Sequence, residues 1–270
     1  ENLEKMINAV EETQKRGVNR AEHRLHLRCE LPHHTTLPLF EKLVGREPVT
    51  LVSLMDHSPG QRQFANREKY REYYQGKYSL TDEQMARYEE EQLQLAARWS
   101  QPNRTAIAQL CRERNIALAS HDDATAGHVL ESHQLGSVIA EFPTTFEAAE
   151  ASRQHGMNVL MGAPNIVRGG SHSGNVAAHT LAELGLLDIL SSDYYPASLL
   201  DAAFRVADDA ANRFTLPQAI RLVTANPARA LSLSDRGTIA EGKRADLVLA
   251  HRKGDHIHID HVWRQGKRVF

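Results

Sequence analysis

Six times along this chain a short apolar run is followed by a helical pattern. The runs are His23–Leu31, Pro48–Met55, Ile116–Ser120, Ser137–Phe142, Met157–Met161 and Leu186–Ser191. Strand alternating with helix implies parallel strands joined by crossover helices, so the fold class is α/β. A closed barrel of this kind needs eight such units. The expectation is therefore a (β/α)8 TIM-type barrel over residues 1–234 whose first two strands precede Glu1; the start at Glu1-Asn2-Leu3-Glu4, inside a helical pattern and without Met, also suggests a fragment. From Asp235 onward the pattern changes to short strands and turns, and residues 235–270 read as a small β appendage.

The runs end in polar groups. Ile116-Ala117-Leu118-Ala119-Ser120 gives way to His121-Asp122-Asp123, and Pro48–Met55 to Asp56-His57-Ser58-Pro59-Gly60. In a parallel sheet the carboxyl ends of the strands share one face, where such groups pool into a site. His23–Leu31 alternates, with Leu25, Leu27 and Cys29 on one side and Arg24, His26, Arg28 and Glu30 on the other. That polar row either lines a wet, charged site or marks an edge strand facing water. Glu30, His57, His121 and Asp193 each follow a separate strand. Carboxylate and imidazole hold divalent ions such as Zn or Mn, and a catalytic site keeps one position open for water. Asp193 also suits proton transfer, or capping ahead of Pro196. Asp122 and Asp123 read as caps of the next helix in preference to partners that orient His121.

Gln61–Asn103 is polar, tyrosine-rich and far longer than an ordinary βα connection, either a lid over the site or a helical hairpin packed by its tyrosines. Capping boxes are expected at Thr81-x-x-Gln84 and Thr144-x-x-Glu147, and a separate helix over Asn103–Arg114. The Arg168–Asn175 loop offers glycines for close backbone approach, with Ser171, His172, Ser173 and the following helix terminus as donors to phosphate oxygens. With Arg24, Arg28, Arg62 and Arg168 it favours an anionic substrate; a plain glycine-rich connector is the other reading.

Lys and Arg total 32 against 34 Asp and Glu, a net charge of −2, which excludes general attraction to nucleic acid or anionic lipid. No apolar run approaches the roughly 20 residues that cross a bilayer. The two cysteines, Cys29 and Cys111, form no CxxC pattern and fit a reducing cytoplasm.

Thr224–Leu231, Gly237-Thr238-Ile239 and Glu241–Val248 resemble the carboxyl-terminal signature of the amidohydrolase superfamily, the last barrel helix passing into a β-sandwich. Within it, Met55–Phe64, Ala119–Asp123, Gly162-Ala163-Pro164-Asn165 and Arg168–Asn175 resemble the phosphonate-metabolism diphosphatases. The resemblance implies a hydrolase of the carbon-phosphorus lyase pathway that uses one or two divalent ions. Its phosphorylated ribose substrate would be α-D-ribose 1-methylphosphonate 5-triphosphate, cut to the 5-phosphate and pyrophosphate. Glu30, His57, His121 and Asp193 match the metal-ligand positions, and Arg62 with Arg168–Asn175 match the phosphate-binding ones. Two departures stand out: no first-strand His-x-His or His-x-Asp pair is present, and Glu141-Phe142 offers no His. The rival readings are an amidohydrolase of cyclic amides or amines, as in dihydropyrimidinases and deaminases, and a metal-free subunit holding phosphorylated ligands. A homo-oligomer is left open.

Overall fold

The structure is a computed structural model that describes residues 2–170, 174–254 and 256–270. Six strands form one parallel sheet in chain order: β1 (Leu25–Glu30), β2 (Val49–Met55), β3 (Ala117–His121), β4 (Ile139–Glu141), β5 (Asn158–Gly162) and β6 (Ile189–Ser191). Register sets their carboxyl ends in line, with Glu30 beside Met55, His121 beside Glu141, and Gly162 beside Ser191. Among the described residues β1 and β6 each pair with a single strand, so the sheet has two edges where the expected closed barrel has none.

From β2 to β6 both faces of the sheet are covered, which is why these strands read as continuous apolar runs, while β1 alternates. The helices are α1 (Asn2–Lys15), α2 (Thr36–Leu43), α3 (Arg67–Tyr78), α4 (Asp82–Glu113), α5 (Ala126–Gln134), α6 (Phe146–Gln154), α7 (Ala163–Arg168), α8 (Ala178–Glu183), α9 (Ser198–Asp208), α10 (Leu216–Arg221) and α11 (Ala225–Ala230). On the helix side, Leu27, Val52, Leu54 and Leu118 pack with Phe40 and Leu43 of α2 and Ile107 and Cys111 of α4. On the other face Ala119, Ile139, Leu160 and Ile189, one from each of β3 to β6, close on one another.

Several local expectations change. The Gln61–Asn103 excursion and the helix after it are not separate: α4 runs unbroken for 32 residues, roughly 48 Å, with Pro102 inside it. Contacts just past the proline offset its missing hydrogen bond, because the buried Asn103 amide donates to the Leu31 and His33 carbonyls at 2.8 and 2.9 Å. The Thr81/Gln84 capping box forms as expected. At α6 the cap is Thr145, whose hydroxyl accepts from the Ala148 amide, while Glu147 accepts from the Ala126 amide of the neighbouring helix. Thr125, not Asp122 or Asp123, caps α5. Both aspartates are thereby released for other work.

The tail forms a three-stranded antiparallel sheet of β7 (Leu247–Lys253), β8 (His256–Arg264) and β9 (Lys267–Arg268). It starts ten residues later than Gly237, where the sequence pattern suggested a strand. Glu22, ahead of β1, ties the two parts together by pairing with Arg236 at 3.4 Å and with Arg244.

Gly237 has φ +88° and no room for a side chain: a Cβ there would lie 2.9 Å from the Ala225 backbone and from Ala228 Cβ. Gly237→Ala is expected to cost on the order of 2–4 kcal/mol, backbone strain plus overpacking. Gly136→Ala, at φ +93° but in open space, should cost about 1–2 kcal/mol, strain alone. Denaturant unfolding of both variants measures the difference, and equal losses would contradict the packing part of it.

Candidate metal centre

His57 lies two residues past the end of β2, and His121 is the last residue of β3. Their rings stand edge to face, with centroids 5.5 Å apart. A carboxylate holds each ring from behind. Glu30 Oε2 lies 2.6 Å from His57 Nδ1, and Glu30 Oε1 accepts from the His57 amide at 3.1 Å. Glu141 Oε2 lies 2.7 Å from His121 Nδ1 and also accepts from the Ser53 hydroxyl at 2.8 Å. With both Nδ1 atoms engaged, both Nε2 atoms face Asp122 Oδ2, at 3.6 Å from His57 and 3.3 Å from His121. Asp122 reaches this position through a left-handed backbone turn, φ +55°.

Three ligand atoms, one each from His57, His121 and Asp122, lie within 4.8 Å of one another. A divalent ion takes imidazole nitrogen and carboxylate oxygen at about 2.0–2.2 Å, and three such atoms this close together could hold one. Outer carboxylates on the Nδ1 atoms are the usual support of such ligands. The donor set therefore fits a metal by its chemistry as well as its spacing.

The electrostatics agree. Burial disfavours a charged His57, but Asp122 and Glu30 outweigh it and hold the imidazolium up to about 9. Burial likewise opposes ionised Glu141, yet the hydrogen bond and charge of His121, with His26 and Ser53, bring it down to about 2. The pocket thus concentrates negative charge on two imidazoles.

Asp193 sits past β6, also in a left-handed turn at φ +48°. Burial raises its pKa, Glu141 and Asp122 add to the rise, and Arg28 and His121 oppose it. With Asp122, Phe142, Asn165, Gly170 and Tyr194 it lines a cavity of about 170 Å³. Its Oδ2 lies 3.4 Å from where a Cβ on Gly162 would stand, so the glycine leaves it space.

The sequence-derived residues divide. Arg28 enters the site, its Nη2 3.1 Å from His121 Nε2. Arg168, closing α7, donates to the Tyr194 hydroxyl at 3.2 Å on the cavity rim. Arg24 lies at the opposite, amino end of β1 and pairs with Glu22, so it does not face the site. Arg62 is only 2% exposed, turned inward at φ +43° to pair with Asp123 and, at 2.9 Å, Glu131. It belongs to a buried charge network with Arg104 and Asp56, not to a phosphate surface. Glu30 stands behind His57, where it orients the ring. Ser171, His172 and Ser173 lie outside the described residues, and the first amide of α8 is already taken by Asn165 Oδ1 at 3.0 Å.

Three contributors went unrecognised in the sequence. Asp122 has the residue type of a cap as well as of a partner to His121, Glu141 stands where relatives would place a His, and Ser53 is one residue inside an apolar run. The available signal was register: an acid ending β4 lies beside an imidazole ending β3.

Residues 20–270 match the Amidohydrolase family. The chain belongs to that family. It is 89% identical to the alpha-D-ribose 1-methylphosphonate 5-triphosphate diphosphatase of Escherichia coli (strain K12), over all 270 residues and 71% of that protein's length. It is 27% identical to the adenine deaminase of Lysinibacillus sphaericus (strain C3-41), over 59% of this chain and 28% of that one. A solved guanine deaminase from C. acetobutylicum, with bound guanine in its active site, aligns at TM-score 0.47 and 11% identity, covering 98% of this chain and 76% of that one. Within this amidohydrolase the strand-end carboxylates and imidazoles form the candidate centre.

Two outcomes follow for the metal-stripped protein. His57 has a folded pKa of about 9 against an ordinary 6.5, so its stabilising contribution is complete below pH 6.5 and fades as pH rises through 9. Tm should fall across that window and the fall should flatten in His57→Asn; a flat wild-type profile would contradict the geometry. Arg62→Met should cost about 3–5 kcal/mol in denaturant unfolding, because it strands a buried carboxylate. A stable Arg62→Met protein with weakened substrate binding would restore Arg62 to the phosphate site.

Proposed function

We propose that this amidohydrolase hydrolyses α-D-ribose 1-methylphosphonate 5-triphosphate to the 5-phosphate and pyrophosphate. The observation that carries the reading is the 89% identity to the diphosphatase over the whole chain. The site supports it with a donor set for a divalent ion beside a cavity that has arginines at its edge.

His57, His121 and Asp122 would hold the ion, with Glu30 and Glu141 behind the imidazoles. When bound, a Zn, Mn or similar ion there supplies Lewis acidity and a water of lowered pKa. One ion suits the three clustered donors; Asp193 and Glu30 are the groups on hand for a second. Asp193, with its raised pKa, takes the proton of the attacking water and returns it to the departing pyrophosphate. The bond broken is a phosphoanhydride, and negative charge builds on its oxygens. Arg28 and Arg168 would meet that charge through forked hydrogen bonds, and in the Arg168–Asn175 loop Ser171, His172 and Ser173, which lie outside the described residues, are the further candidate donors to phosphate oxygens. Neutral cyclic amides and amines have no use for two arginines at the rim, which favours the triphosphate over a deaminase or dihydropyrimidinase substrate.

The fold reading that accompanies this is the eight-stranded barrel, with two further strands on the free edges of β1 and β6, and β7 to β9 as part of a β-sandwich. Among the described residues no helix is long and apolar enough to cross a membrane. Cys29 and Cys111 are both free and buried, in keeping with the reducing cytoplasm in which we place the reaction.

The test is pyrophosphate release from the ribose triphosphate with and without added divalent metal. Release should require the metal and fall by roughly 10²-fold or more in His121→Asn and in Asp193→Asn. Undiminished turnover by both variants would overturn the assignment.

A further inference from the structure

Arg28 occupies the atom that a metal would need. A guanidinium has only donors and keeps its protons, so toward Arg28 Nη2, at 3.1 Å, the His121 Nε2 can only accept, while Asp122 Oδ2 lies 3.3 Å from the same nitrogen. The opposite ring nitrogen faces Glu141 Oε2 at 2.7 Å, an acceptor-only group, so Nδ1 carries the proton. In that tautomer the lone pair of His121 faces a cationic side chain of the same protein, with the Asp122 carboxylate beside it. Arg28 projects from β1 across β2, where its Nε lies 3.4 Å from Met55 Sδ. The residue is exposed, so its guanidinium can swing outward without opening the core.

We propose that Arg28 competes with the divalent ion for His121 Nε2, and that metal loading turns the guanidinium outward to the phosphates of the substrate. The inference rests on the metal-centre reading above. One lone pair serves one partner, and two cations a few ångströms apart in a partly buried pocket repel. Binding of the ion therefore expels Arg28 and frees its planar set of donors for phosphate oxygens, which such donors match in pairs. In the metal-free protein the same arginine supplies the positive charge that Glu30, Asp122, Glu141 and Asp193 call for. The site then offers its arginine to an anionic substrate only after the ion is in place.

Calorimetric titration of Zn²⁺ and of Mn²⁺ into the metal-stripped chain tests this, wild type against Arg28→Met, which keeps the aliphatic stem. The variant should bind metal at least about tenfold more tightly, equivalent to 1.4 kcal/mol. Equal or weaker binding by a folded variant overturns the competition. A wild-type protein that takes up no metal at this site would sink the metal centre itself, a separate failure. Nitrogen-15 NMR of His121 in the metal-stripped wild type gives a check that needs no variant. The proton should sit on Nδ1 with Nε2 bare, and a protonated Nε2 would overturn the proposal.

Discussion

An imidazole at the end of a strand can turn about its side-chain bonds, so two of them converge on a point only if something fixes each ring. Here the pairs Glu30 with His57 and Glu141 with His121 do so, at 2.6 and 2.7 Å. Each carboxylate takes the outer nitrogen and leaves the inner one facing Asp122. Removing either acid would leave the ligands present and the site disordered, which is the general weakness of centres whose outer support is lost. Against burial, Asp122 with Glu30 keeps the proton on His57, and His121 with His26 and Ser53 lets Glu141 give its own up.

The sheet makes these pairs possible. His121 and Glu141 end adjacent strands in register, and Glu30, level with Met55, reaches His57 two residues past the end of β2. Behind the edge, Ala119, Ile139, Leu160 and Ile189 form a buried apolar cluster on the other face of the sheet from the α2 and α4 packing. The excursion after His57 adds a wall. Phe64, Tyr70 and Met85 form their own apolar cluster with Tyr74 and Tyr88 packed against it. Phe64 presents its ring to His57 at 6.2 Å. The tyrosines that suggested either a lid or a packed hairpin are in fact the packing of the α3–α4 pair, and that packing is seated against one of the two imidazoles.

How much of this could be read beforehand depends on what sequence carries. Strand order and the alternation of β1 were legible because hydrophobic period and burial have the same cause. His26, Arg28 and Glu30 do share the site-facing side, while Leu27 and Cys29 enter the core. Left-handed turns were not legible. Asp122, a cap by residue type, becomes a donor only because its backbone turns to φ +55°, and Arg62 turns inward at φ +43°, away from the surface its charge suggested. No periodicity announces either. Arg24 failed for another reason: alternation tells which face a residue occupies but not which end of the strand, and only the carboxyl end serves the site.

The centre of the account is a single point bounded by His57 Nε2, His121 Nε2 and Asp122 Oδ2. Anomalous diffraction at the zinc edge, from crystals of the protein soaked in Zn²⁺, locates that point directly. The account predicts a peak within coordination distance of all three atoms, with Glu30 and Glu141 still on the far sides of the rings. A peak elsewhere in the molecule, with this position empty, would contradict it.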